Sequence, residues 1–113
     1  MSGLPTLPDI PKLEAGYRKG CFTPRQVIAD ALARAARFED RNIFTFRPEI
    51  DALMPWLSRL EDAEPESLPL FGIPFLVKDN IDAGELLRST AGSLMLMESQ
   101  PSGEAHVISL LRA

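Results

Sequence analysis

An α/β fold is predicted by three observations. Apolar residues repeat at helical spacing in several stretches, a short apolar run from Ile73 to Val77 ends at a lysine as a buried strand does, and the two patterns alternate along the chain. The expectation is a set of N-terminal helices followed by a first strand. A lone strand has no sheet to complete it, and the last helix stops at Leu110-Leu111-Arg112-Ala113 with no Gly, Asn or Pro stop signal. The chain is therefore expected to be the first segment of a larger α/β unit.

Bulk properties bound the function. The 113 residues suffice for one small domain. Apolar residues at 45% and charged residues at 25% give a globular rather than a disordered balance. A net charge of −4 argues against a nucleic-acid partner, because phosphate contacts need a basic face. The single cysteine, Cys21, cannot close an internal disulfide, so a reducing cytosol is the default. With no second Cys or His-rich stretch beside it, Cys21 reads as an inert, packed thiol. No apolar run approaches the ~18 residues of a membrane span. The opening MSGLPTLPDIP lacks the basic region of a signal peptide. A cytoplasmic location is expected, without a membrane partner.

The elements follow in order. Residues Met1 to Pro8 form a Pro-rich arm. Asp9 caps a short helix with Pro11 in its first turn, Ile10, Leu13 and Tyr17 on one face, and Gly20 at its end. Thr23, Pro24 and Gln26 form a capping box that opens the clearest helix, running to Arg37. Val27, Ile28, Ala31, Leu32 and Ala35 make its apolar stripe. Asp40, Arg41 and Asn42 turn the chain, and Ile43 to Phe46 read as extended. Pro48 starts another helix, with Ile50, Leu53, Leu57 and Leu60 at helical spacing and Pro55 forcing a kink or a fresh start. Glu61 to Ser67 is an acidic linker. The strand through Lys78 comes next, then a turn at Gly84, a short helix over Gly92 to Glu98, a turn over Gln100 to Gly103 and a last helix from Glu104.

Chemistry concentrates in Pro69 to Ser93, which reads PLFGIPFLVKDNIDAGELLRSTAGS. Lys78 stands at the mouth of the apolar run, followed by Asp79, Asn80 and Asp82. A lysine there is costly to desolvate unless carboxylates, amides or hydroxyls take its hydrogen bonds. Its pKa can also be moved far enough for proton transfer. On spacing alone, the plainer reading is a strand-end lysine with a packed stem and an ammonium in water or paired with Asp79 or Asp82. Ser89, Thr90 and Ser93 read as loop hydroxyls that cap the next helix and bond around Lys78. Asp79 and Asp82 alone underfill any metal shell, so no metal is expected. His106, the only histidine, reads as a surface or interface residue on the last helix.

The run GIPFLVKDNID followed by STAGS resembles the amidase signature family of serine hydrolases. Gly72, Pro74, Lys78 and Asp79 match that family's G-x-P-x-x-x-K-(D/E) segment, and the resemblance extends from about Tyr17 to Ala113. It implies a mixed-sheet fold, with residues 1–22 as an arm and short helix and 23–113 as the N-terminal portion of an amidase domain. It also implies amide C–N cleavage by a nucleophilic serine, a bridging serine in a cis peptide, and Lys78 as the catalytic lysine. Asp79, Asn80, Ser89, Thr90 and Ser93 then support the lysine. No cofactor is implied, the substrate is a small amide, and a homodimer is an expectation for the full-length protein.

The family's two serines lie further on, the nucleophile in a G-G-S-S-G-G type of stretch absent here, so the chain alone is expected to be inactive. It departs from the family pattern in the longer AGELLRS of residues 83–89, and in Glu104 and His106 before the last helix. The segments Asn42 to Thr45 and Leu68 to Asp82 look most like allophanate hydrolases. The glutaminase subunit of a tRNA-dependent amidotransferase, or a general amidase, is the alternative within the family. Outside it, the alternative is a small helical interaction module.

Overall fold

The computed structural model describes residues 3–84, 90, 93–96 and 101–112. Among them are four α-helices: α1 (Ile10–Arg18), α2 (Pro24–Arg37), α3 (Met54–Glu61) and α4 (His106–Arg112). Short 3₁₀ turns sit at Glu39–Arg41, Ile50–Leu53, Pro65–Ser67 and Leu94–Leu96. The last falls within the stretch where a helix over Gly92 to Glu98 is expected, and Gly92, Met97 and Glu98 lie outside the described residues.

The helix boundaries follow from local chemistry. The Asp9 carboxylate accepts from the Lys12 backbone N–H at 2.8 Å and caps α1. At the other end the Gly20 N–H donates to the Tyr17 carbonyl and the Cys21 N–H to the Gly16 carbonyl. These paired bonds form a Schellman motif, closed by Gly20 at φ +70°. Three residues after Gly20, Thr23 and Gln26 complete a reciprocal capping box that opens α2. Pro55 lies in the first turn of α3, where its missing N–H has no helical partner to lose. It marks a fresh helical start rather than a kink.

One core holds the first part of the chain together. Leu13, Tyr17, Phe22, Val27 and Phe71 are buried against one another, with Leu4, Leu60, Ala63, Leu68 and Ile73 around them. The Tyr17 ring meets Phe22 and Phe71 edge-on, with centroids 5.3 and 5.4 Å away. The N-terminal arm is tied down by hydrogen bonds from Gly3 N–H to the Cys21 carbonyl and from Arg34 to the Thr6 carbonyl.

The structure corrects three sequence expectations. No β-strand forms among the described residues, so the first strand of the α/β reading is not observed. Residues 73–78 are irregular between two turns, closed by Ile73 N–H to Leu70 O and Ile81 N–H to Lys78 O. A strand exists only as a member of a ladder, and Pro74 offers no donor to one. What pairing there is lies further on, in an isolated antiparallel bridge between Ala83 and Glu104. Second, Cys21 is exposed rather than packed. Its backbone is held by the Schellman turn while Phe22 takes the buried position beside it. Third, Ile10 is 46% exposed, so the buried face of α1 is carried by Leu13, Gly16 and Tyr17.

Candidate functional site

The segment that leads to Lys78 begins at a fixed point. Gly72 has φ +65°, and a Cβ there would lie 2.7 Å from the Tyr17 ring. Both constraints require glycine. The Tyr17 hydroxyl donates to the Gly72 carbonyl at 2.5 Å, and burial pushes the Tyr17 phenol well above its usual range. The side chain is thus kept as a neutral donor.

From Gly72 the chain runs without regular structure along the rim of a large groove to Lys78. The groove encloses about 1350 Å³ between the apolar stripe of α2, residues 43–48, α3 and residues 67–80, with Leu110 to Arg112 of α4 also on it. Ile28, Leu32, Phe44, Trp56 and Phe75 are among its apolar lining. Lys78, Asp79 and Asn80 line it too. Lys78 is exposed, and no sheet forms around it among the described residues. Asn80 is also exposed, and no bond from it to Lys78 is seen.

Asp79 behaves differently from its expected alternative of pairing with Lys78. Its two carboxylate oxygens accept from Thr90, one from the backbone N–H at 3.0 Å and the other from the hydroxyl. Thr90 is 6% exposed. Ser93 is half-buried and returns its N–H to the Thr90 carbonyl at 2.9 Å. The structure therefore brings Asp79 and Thr90 together, with Ser93 behind them. Ser89 lies outside the described residues. His106 is exposed on α4.

Beyond the turn, Gly84 N–H donates to Gly103 O and Ala105 N–H to Asp82 O. This cross-link fastens the residues after Lys78 to the start of α4. Arg112 of α4 is paired with Glu104 and lies over the Trp56 ring of α3, 4.1 Å from its centroid. Among the described residues, no group of three or more His, Cys, Asp and Glu gathers to hold a metal. Nor is any helix there long and apolar enough to cross a membrane.

The profile of the Amidase family matches residues 26–113, well over half of the chain and the whole of the Gly72–Thr90 region. The chain belongs to the amidase family. It is 40% identical over 114 residues to "Putative amidase C869.01" of Schizosaccharomyces pombe, an alignment covering 95% of this chain and 19% of that protein. It is 23% identical over 124 residues to a "Putative amidase" of Arthroderma benhamiae, covering 89% of this chain and 21% of that protein. The chain thus spans about a fifth of the length of these curated relatives. No solved structure matches it.

Tyr17 and Gly72 form the feature that sequence reasoning missed. Tyr17 was visible as a helix-face residue and Gly72 as a motif glycine. Nothing in their spacing, 55 residues apart, announced the bond between them.

Proposed function

We propose that this chain supplies the lysine-bearing segment of an amide-cleaving active site, with Lys78 as the proton-transfer group. The observation that carries this reading is the amidase-family match, which runs through a segment anchored at Gly72 and ending at Lys78 on the groove. In the reaction, neutral Lys78 takes the proton of a bridging serine, which takes that of the nucleophilic serine as the latter attacks the amide carbonyl. The protonated lysine returns its proton to the leaving nitrogen, and water hydrolyses the acyl-enzyme. Both serines belong to sequence other than these 113 residues. Asp79, Asn80, Ser89, Thr90 and Ser93 act in support.

The groove favours this reading. Its apolar lining is the kind of surface a domain core presents to its next layer. The remainder of an amidase domain seated there would cover Lys78 and exclude water from it. The substrate is a small amide, and no nucleic acid, membrane or cofactor takes part. The protein is cytoplasmic, and the full-length enzyme is a homodimer. The finer assignment is allophanate hydrolase, which rests on Asn42 to Thr45 and Leu68 to Asp82.

The test is ammonia release from allophanate and from acetamide by the intact protein, compared with Lys78→Ala and Lys78→Arg at matched folded concentration. Both variants are expected to lose about 10²- to 10⁴-fold in rate, since a guanidinium cannot serve as a base near neutrality. Near wild-type turnover by Lys78→Arg would remove the lysine from the mechanism. Turnover of acetamide equal to that of allophanate would remove the finer assignment alone.

A further inference from the structure

A lysine that must give and take a proton is poorly served by a free carboxylate beside it, because the anion favours the ammonium. Lys78 is followed directly by Asp79, yet among the described residues Lys78 makes no ion pair. The Asp79 carboxylate instead faces Thr90, which donates its backbone N–H to Oδ1 and its hydroxyl to Oδ2. Thr90 is itself buried, and Ser93 N–H fixes its carbonyl. On the other side the Ile81 N–H holds the Lys78 carbonyl, so Asp79 lies inside a closed turn.

We propose that Thr90 is a positioning residue for Lys78, acting by holding the Asp79 carboxylate away from the lysine's ammonium. The hydroxyl and the backbone N–H are the two donors that Thr90 gives this carboxylate. Without the hydroxyl the carboxylate can swing back toward its chain neighbour. The value of the clasp to catalysis rests on Lys78 being the proton-transfer group, but the clasp can be tested apart from activity.

The chain has three lysines, so Lys12 and Lys19 serve as internal references for amine acylation of Lys78. Thr90→Val keeps the backbone donor and removes the hydroxyl. It is expected to slow Lys78 labelling about two- to fivefold relative to the references, the range of an exposed ion pair. Thr90→Ser restores the wild-type ratio. Asp79→Asn added to Thr90→Val also restores it, because no carboxylate is left to pair; a merely structural role for Thr90 would show no such rescue. An unchanged ratio in Thr90→Val, or a slowed ratio that Asp79→Asn leaves slow, overturns the proposal. In the intact protein, Thr90→Val should lower kcat by a similar factor with KM unchanged. If Lys78→Ala leaves amide turnover intact while the labelling ratios move as expected, the functional reading fails and the clasp stands.

Discussion

Phe22 and Phe71 in the core and Phe75 and Leu76 exposed on the groove are the same kinds of side chain put to opposite ends. The first pair is 6% and 7% exposed, locked around Tyr17. The second pair is 41% and 76% exposed on residues that reach Lys78. Between Phe71 and Phe75 the chain passes from a closed core to an open groove. The difference lies in what surrounds each pair, not in its apolar character. Two helices and a Schellman turn close over Phe22 and Phe71, while the irregular residues 73–78 join no ladder. The proposed function lies on the open side, and the closed side supplies its footing.

The largest effect expected from this contrast is on stability. Phe22→Ala should cost about 3–5 kcal/mol in a denaturant titration, whereas Leu76→Ser should stay within about 0.5 kcal/mol. Equal costs would show that the groove is as much a core as the Tyr17 cluster. A smaller effect is expected at the joint between the two regions. Tyr17→Phe keeps the ring and removes the donor to Gly72 O, leaving that carbonyl short of a partner, at about 1–2 kcal/mol.

The same tyrosine gives a pH dependence with a defined sign. Its folded pKa is raised by burial above the unfolded value of about 10. Above that value the unfolded chain loses a phenol proton that the folded chain keeps. Tyr17's contribution is therefore full below about pH 10 and falls as pH rises toward the folded pKa. A denaturation series across alkaline pH should show the decline in wild type and a shallower one in Tyr17→Phe. Identical slopes would mean that the phenol is not held neutral. A further modest effect belongs to the entry of α2, where Thr23→Ala removes one half of the capping box and should cost about 1 kcal/mol.

The closed side was the more legible in the sequence. Asp9, Thr23 with Gln26, and Pro55 act through bonds or steric rules spanning a few residues, and α1, α2 and α3 begin where those rules put them. The helix expected from Pro48 is only a 3₁₀ turn at Ile50–Leu53, and the last helix begins at His106 rather than Glu104. Gly72, Lys78 and Asp79 were likewise visible as a motif. The expected strand does not form because an apolar run such as Ile73 to Val77 records a tendency to be buried, and strand formation also needs a neighbouring segment to bond with. Cys21 was misplaced because the turn that holds it is specified by its backbone, which composition does not report. Thr90 is legible in the sequence as one of the hydroxyls near Lys78. Its partner is not, since the bond to Asp79 depends on how the intervening loop returns.

The chain contains one tyrosine and one tryptophan, and they fall on opposite sides of the divide. Tyr17 sits in the closed core, while Trp56 lines the groove with the Arg112 guanidinium over its ring. The molecule thereby carries two intrinsic optical channels that do not overlap in origin. Phenolate absorbance at high pH reads the opening of the core. Indole emission reads whatever settles in the groove or lifts Arg112 from the ring, without a label of any kind.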